Sequence, residues 1–137
     1  MLDTLAKIHD YGGPLVGVSY TLFEGNPQFI TAIELRFESL MAVFRAVPDD
    51  DTLDVSLGTL APRPGLEMLI EAADSEPWST CMGLGVRWAW LLTNQQGYED
   101  GVRLEFGEPG EASSAVVEMV VAASAIKIFV AIPSAAA

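Results

Sequence analysis

Hydrophobic and polar residues alternate along most of the chain, in short runs separated by Gly, Pro, Asn or Asp. Ile33, Leu35 and Phe37, for example, alternate with Glu34 and Arg36. A period of two is typical of strands whose sheet has one buried and one wet face. The pattern predicts eight strands: Leu15–Phe23, Phe29–Phe37, Leu40–Val47, Leu53–Leu57, Val86–Leu92, Val102–Phe106, Val116–Ala122 and Ile126–Ile132.

Turn residues join these strands in neighbouring pairs. Gly25-Asn26-Pro27 separates the first two strands, Pro48 and Asp49–Asp51 the next two, and Asn94–Gly101 the fifth and sixth. Such polar connections predict antiparallel hairpins, the third of them with a long loop. A further loop is predicted at Gly107–Ser114. We therefore expect a mainly β (β-rich α+β) fold, in which an antiparallel meander forms a rolled sheet or barrel with one short helix.

The segment Gly65–Ala73 is the predicted position of that helix. Pro62 and Pro64 interrupt regular structure before it, and strong helix formers such as Leu66 and Glu67 follow. Its apolar residues recur at helical spacing. A strand is the alternative, because the segment is too short for periodicity to decide.

Length and composition indicate one domain over residues 1–137, since the chain is 50% hydrophobic and can bury a core. Cys81 is the only cysteine, and the first residues lack the basic start and apolar run of a secretory signal. A cytoplasmic location is expected. The apolar stretch Ala115–Ile132 contains Glu118 and Lys127, so two strands are expected there and no membrane span.

The charge balance restricts the partners of this protein. Seven Lys and Arg residues stand against 19 Asp and Glu residues, which gives a formal net charge of −12. This field repels phosphate backbones, so nucleic-acid binding is not expected. A basic protein is the expected partner. Self-association as a homodimer is the alternative, because a mean hydropathy of +0.32 is high for a chain with exposed strands.

No residue pattern predicts a catalytic centre, a metal site or a cofactor. His9 is the only histidine, and Cys81 lies in an apolar context that predicts a buried, unreactive thiol. Asp49–Asp51 and Asp54 form an acidic run, which is interrupted by apolar residues and lacks the spacing of a calcium loop. The run is interpreted as a turn or as an acidic surface for a partner. The glycines form no phosphate-binding motif.

The richest cluster of candidate binding residues consists of Trp88 and Trp90 with the polar turn 94–101 that follows them. The two tryptophans share strand parity with Val86. Aromatic residues beside amides and carboxylates can form a recognition surface, although a core with an ordinary turn is the alternative. The predicted partner-binding residues combine this cluster with the acidic run: Asp49, Asp50, Asp51, Asn94, Gln95, Gln96, Tyr98, Glu99 and Asp100.

Three segments, DDDTL (Asp49–Leu53), WAW (Trp88–Trp90) and NQQGYEDGVRLEF (Asn94–Phe106), together resemble a family of small uncharacterised bacterial domains. The resemblance implies no activity and no catalytic residue. In size, acidity and strand content the chain is also similar to bacterial toxin-immunity proteins, without a shared motif.

These observations favour a non-enzymatic, immunity-like or inhibitor-like protein whose acidic face covers a basic surface of its partner. The first alternative is a small ligand-binding domain or enzyme with a tryptophan-lined pocket at the mouth of a barrel. The second is a homodimer with a structural role.

Overall fold

The computed structural model describes residues 1–108, 110 and 115–131. Most of the predicted loop Gly107–Ser114 and the last residue of the final predicted strand, Ile132, lie outside these residues. The described elements, in chain order, are α1 (Leu2–Tyr11), β1 (Leu15–Phe23), β2 (Ile30–Phe37), β3 (Met41–Val47), β4 (Thr52–Leu57), β5 (Glu67–Glu71), α2 (Trp78–Cys81), β6 (Gly85–Thr93), β7 (Glu99–Gly107), β8 (Ala115–Ala122) and β9 (Ala125–Ala131).

The strands form two antiparallel sheets. The first sheet has the order β4-β3-β2-β1-β5 and the second has the order β6-β7-β8-β9. The mainly β fold is confirmed, as are the three predicted hairpins and the final strand pair. Within the described residues the two sheets do not close into one barrel. The chain starts a separate sheet after α2, and the inner faces of the two sheets pack on each other around one core.

The helix predicted at Gly65–Ala73 is wrong, because the central part of this segment is strand β5. Ile70 pairs with Tyr20, and Leu69 pairs with Thr21, along the edge of β1. A short segment gains little from helix propensity, whereas the open edge of β1 offers a full row of backbone hydrogen bonds. Tertiary pairing therefore decides the conformation of this segment.

Helix α1 at the start of the chain was not among the predicted elements. Leu2, Leu5 and Ile8 recur every three residues, and the last two are buried. Asp3 lies in the first turn, where a carboxylate is favourable at the positive end of the helix dipole. The helix contacts β6 and β4. No helix in the described part of the chain is long and apolar enough to cross a membrane.

Trp78, from the short helix α2, lies at the centre of the core. Its side chain is fully buried, and its ring makes a T-shaped contact with the ring of Phe106 at a centroid distance of 6.4 Å. The indole N–H donates a hydrogen bond to the hydroxyl group of Tyr20, which belongs to the first sheet. Burial raises the pKa of this tyrosine. Trp78 thus joins the two sheets through both packing and a buried polar contact.

Residues 58–66, here called the crossover strap, connect β4 to β5. These two strands are the opposite edges of the first sheet, so the strap must pass over the three strands between them. Glu34 points away from the core side of β2 and accepts a hydrogen bond from the backbone N–H of Leu60 at 2.7 Å. Glu67 accepts one from the N–H of Arg63 at 2.9 Å. Two carboxylates therefore hold the strap on the sheet.

Arg36 compensates the charge of Glu34, which is only 6% exposed. Its guanidinium lies 2.8 Å from Glu34 and 2.8 Å from Glu71, and it donates a hydrogen bond to the hydroxyl of Ser19. The hydrogen bond from Arg36 lowers the pKa of Glu71. A Cβ at Gly17 would clash with the guanidinium, so the glycine makes room for Arg36.

Arg45 has the same role beside the second carboxylate. Its guanidinium lies 3.2 Å from Glu67, whose side chain is almost fully buried. Burial alone raises the pKa of Glu67, but hydrogen bonds from Thr31 and from the N–H of Arg63, together with the charge of Arg45, lower it below its ordinary value. Both strap-holding carboxylates are thus paired with an arginine.

Candidate functional site

The two predicted acidic turns lie at the same end of the molecule. The β3–β4 turn contains Asp49–Asp51, and the β6–β7 turn spans residues 94–98. Residues beside the first turn and residues of the second line one shallow groove of about 290 Å³. The turns meet because β4 and β7 are in contact across the two sheets. We call this region the acidic end; its acidic residues are Asp49, Asp50, Asp51, Asp54, Glu99 and Asp100.

Two of the three aspartates in the first turn stabilise the turn itself. Asp50 accepts hydrogen bonds from the backbone N–H and the hydroxyl of Thr52. Asp51 adopts a φ of 54° and accepts a hydrogen bond at 2.8 Å from the N–H of Ser124, in the β8–β9 turn. Asp49 is exposed, and its side chain makes no hydrogen bond or ion pair with any described residue. Asp49 is therefore the aspartate that a partner can reach without disturbing the fold.

The second turn is organised by Asn94. Its side-chain oxygen accepts hydrogen bonds from the N–H groups of Gln96 and Tyr98, and its amide donates to Asp100 at 3.4 Å. Asn94 and Asp100 thus fix the hairpin connection. The side chains that the structure leaves exposed on this turn are those of Gln95, Gln96, Tyr98 and Glu99.

The nine predicted partner-binding residues therefore divide into two groups. Asp50, Asp51, Asn94 and Asp100 hold the turns, while the other five present an open surface: Asp49, Gln95, Gln96, Tyr98 and Glu99. A tyrosine among carboxylates and amides offers a large contact area with a polar tip. Among the described residues, no group of three or more His, Cys, Asp or Glu side chains could hold a metal ion. The surface is thus suited to contact with another molecule.

A larger groove, which we call the helix–strand groove, lies between the end of α1 and the start of β6. Its volume is about 510 Å³, and His9, Asp10, Arg87, Trp88 and Glu108 line it. The His9 ring stacks on Trp88 at a centroid distance of 6.0 Å, and its Nδ1 lies 2.8 Å from a carboxylate oxygen of Asp10. Trp88 is 57% exposed. The groove therefore combines an open aromatic face with charged groups.

The sequence pattern did not indicate this groove, because α1 was not predicted. The spacing of Leu2, Leu5 and Ile8 could have indicated the helix, but it could not have shown that His9 meets Trp88.

Cys81 does not line the groove. It is buried, as predicted, and burial together with the nearby charge of Glu76 raises the pKa of its thiol to about 12. The thiol is thus protonated and inaccessible at neutral pH.

Comparison with known proteins gave one family. A family model described as a family of unknown function (DUF6334) matches residues 5–133. No curated protein and no solved structure gave a match. The match supports the predicted likeness to an uncharacterised domain family, and it covers the helix–strand groove and, apart from Met1, the lining of the groove at the acidic end.

Proposed function

Because the chain belongs to the family of unknown function DUF6334, we propose its role from its own surface: it is a non-enzymatic protein-binding domain whose acidic end covers a basic surface of a partner. The observation that carries this proposal is the groove at the acidic end, whose lining brings Asp54, beside the first acidic turn, together with Tyr98 and Glu99 of the second. Tyr98 lines that groove beside Glu99 and provides an aromatic anchor.

Charge favours this assignment over other kinds of partner. The chain carries a net charge of −12, and six of its carboxylates lie at the acidic end. Such a field accelerates encounter with a cationic protein and repels acidic ones. Enzymes that bind nucleic acids are cationic, because they must neutralise phosphates. We therefore propose an inhibitor-like or immunity-like role against a cationic enzyme, in a reducing cytoplasm where the lone Cys81 remains a thiol.

Reversing two charges at the acidic end is expected to abolish partner capture. The variant Asp49→Lys with Glu99→Lys changes exposed side chains without removing a hydrogen bond that holds either turn. Used as bait in a lysate of the native host at low salt, the wild type should recover a basic protein that this variant does not. Salt near 0.5 M should release that protein, because it screens exposed charges. With the purified partner, calorimetry should show the Kd raised by about tenfold or more.

The matched control is Glu38→Lys with Asp74→Lys, which changes the net charge by the same amount. Both residues are exposed, and they follow β2 and β5 at the opposite end of the first sheet. This control bait should retain the basic protein. Equal recovery by both variant baits, or recovery of no basic protein by the wild type, would show that the acidic end is not the binding surface.

The helix–strand groove supports a second candidate function, the binding of a small molecule that carries an ammonium group. The exposed face of Trp88 can accept a cation, and the carboxylates of Asp10 and Glu108 outnumber the single cation of Arg87 in the lining. The glycines of the lining leave backbone walls without side chains: Gly13, Gly83, Gly85 and Gly107. We assign the tryptophan-lined pocket of the first alternative to this groove, which lies beside a helix and not at a barrel mouth.

Benzylammonium and its neutral analogue benzyl alcohol test this second function. In NMR titrations, benzylammonium should shift the indole N–H resonance of Trp88 and leave that of Trp90 in place, and benzyl alcohol should shift neither. The double variant Asp10→Asn with Glu108→Gln should weaken the interaction by about tenfold. Equal shifts at both tryptophans, or an equal response to the alcohol, would exclude a specific ammonium site.

A further inference from the structure

The outer face of the second sheet carries a row of four side chains, one from each strand. Trp90 pairs with Arg103, Arg103 with Glu118, and Glu118 with Phe129. The two aromatic side chains at the ends of the row are 44% and 54% exposed. We call these four residues the outer row. Its order is aromatic, positive, negative, aromatic.

A β-bulge explains why Trp90 faces outward. The pairing of β6 with β7 shifts between Val86 and Trp88, so Arg87 is the extra residue. Val86 is buried while Trp88 and Trp90 are exposed, although the three share parity in the sequence. The bulge thus moves two tryptophans from the core side to the outer side.

The outer face is electrically neutral in a strongly acidic protein. By strand register it carries two cations, Arg103 and Lys127, and two carboxylates, Glu105 and Glu118. The rest of the chain therefore carries the whole net charge of −12. Two copies that approach through the acidic parts of their surfaces repel each other, whereas this face adds no repulsion. Charge thus allows a second copy to dock on this face.

Arg103 holds the outer row in a fixed arrangement. Its guanidinium lies 5.3 Å from the centroid of the Trp90 ring, which is cation–π geometry, and its Nε lies 3.7 Å from Glu118. The Nε is buried and has no hydrogen-bond partner among the described residues. Because the Arg103 guanidinium contacts both Trp90 and Glu118, the Trp90 end of the row is ordered before any partner arrives, which lowers the entropic cost of binding.

We propose that a second copy of this chain packs face to face on the outer row, related by a two-fold axis that runs parallel to the strands between β7 and β8. This rotation places Trp90 over Phe129 of the second copy, and Arg103 over Glu118 of the second copy. The row is thus complementary to itself, as an isologous interface requires. Aligned packing of two sheets has this approximate geometry.

The size of the face sets the strength of the dimer. Four strands spaced by about 4.8 Å, each contributing about seven residues of about 3.4 Å, give a face of roughly 450 Å² per copy. Two such faces approach the lower limit of about 1,000 Å² for a specific interface. A dimer with so small an interface forms only at high protein concentration. Neither Trp90 nor Phe129 lines the acidic-end groove, so the dimer surface is separate from that groove.

Sedimentation equilibrium of the full chain tests the dimer. The mass should rise from monomer to dimer with concentration, and salt should strengthen the dimer, because it screens repulsion between the acidic surfaces. Trp90→Ser with Phe129→Ser should raise the dissociation constant by about tenfold or more. Leu57→Ser with Met68→Ser, which removes two exposed apolar side chains from the first sheet, should not change it.

A monomer at every concentration up to about 1 mM, near the limit of weak binding, would overturn this proposal. So would a dimer that the outer-row variant leaves unchanged while its circular dichroism matches the wild type. Failure here is distinguishable from failure of the acidic-end proposal, because salt weakens binding of a basic partner and strengthens this dimer.

Discussion

Replacement of Trp78 by alanine is expected to lower the free energy of unfolding by about 3–5 kcal/mol, because a large side chain is lost from the core. The side chain is fully buried between the two sheets and packs on Phe106. Its removal leaves a cavity, and the buried hydroxyl of Tyr20 loses its hydrogen-bond donor. Urea unfolding followed by far-ultraviolet circular dichroism measures the change.

Trp90→Ala is the matched control for Trp78→Ala. The same side chain is removed, but Trp90 lies on the outer face, so the loss should stay below about 1 kcal/mol when measured at dilute, monomeric concentration. The loss in the free energy of unfolding for Trp78→Phe should lie between the losses for Trp78→Ala and Trp90→Ala. Phenylalanine keeps an aromatic ring in the core, but the Tyr20 hydroxyl still loses its hydrogen-bond donor. A similar loss for Trp78→Ala and Trp90→Ala would contradict the central position of Trp78 in the core.

Replacement of Glu34 by alanine is expected to cost about 2–3 kcal/mol, below the usual range for breaking a buried pair. The substitution leaves the N–H of Leu60 without its acceptor and removes one carboxylate from Arg36. Arg36 retains Glu71 and is partly exposed, which limits the loss. Urea unfolding gives the stability. Hydrogen exchange of the Leu60 amide reports directly on the crossover strap, and this amide should exchange faster in the variant.

Glu34→Gln and Glu38→Ala are the controls for this effect. Glutamine keeps an oxygen that can accept from Leu60, so the strap should retain more protection than in the alanine variant. Glu38 is exposed, and its side chain makes no hydrogen bond with a described residue, so its removal should have little effect. Unchanged exchange at Leu60 in Glu34→Ala would mean that the strap is held by other contacts.

Both grooves depend on contacts between segments that are distant in the sequence. The acidic end forms because β4 and β7 belong to different sheets that pack together, and the helix–strand groove forms because α1 contacts β6. The sequence identified the acidic turns as separate candidates, whereas only the fold assigned Asp50, Asp51, Asn94 and Asp100 to the turns themselves. This division decides which charges are suitable for reversal in a binding experiment.

Glu34 shows that hydrophobic–polar alternation can predict the direction of a side chain correctly and its exposure to solvent wrongly. Alternation places it correctly on the side of β2 that faces away from the core. That side is not wet at Glu34, because the crossover strap covers it and donates a backbone hydrogen bond. Local periodicity reports the parity of a side chain, but it carries no information about a segment that returns from the other edge of the sheet.

Eight of the nine described strands and their hairpins were predictable from the amino-acid pattern, because alternation and turn residues act over only a few neighbouring positions. The acidity also follows from the sequence alone. The single domain over residues 1–137 stays a prediction. Three features became known only from the fold: Glu67–Glu71 is a strand, a bulge at Arg87 turns two tryptophans outward, and residues beside the two acidic turns line one groove. Each of these depends on pairing or packing with residues far along the chain, whose free energy outweighs local preference.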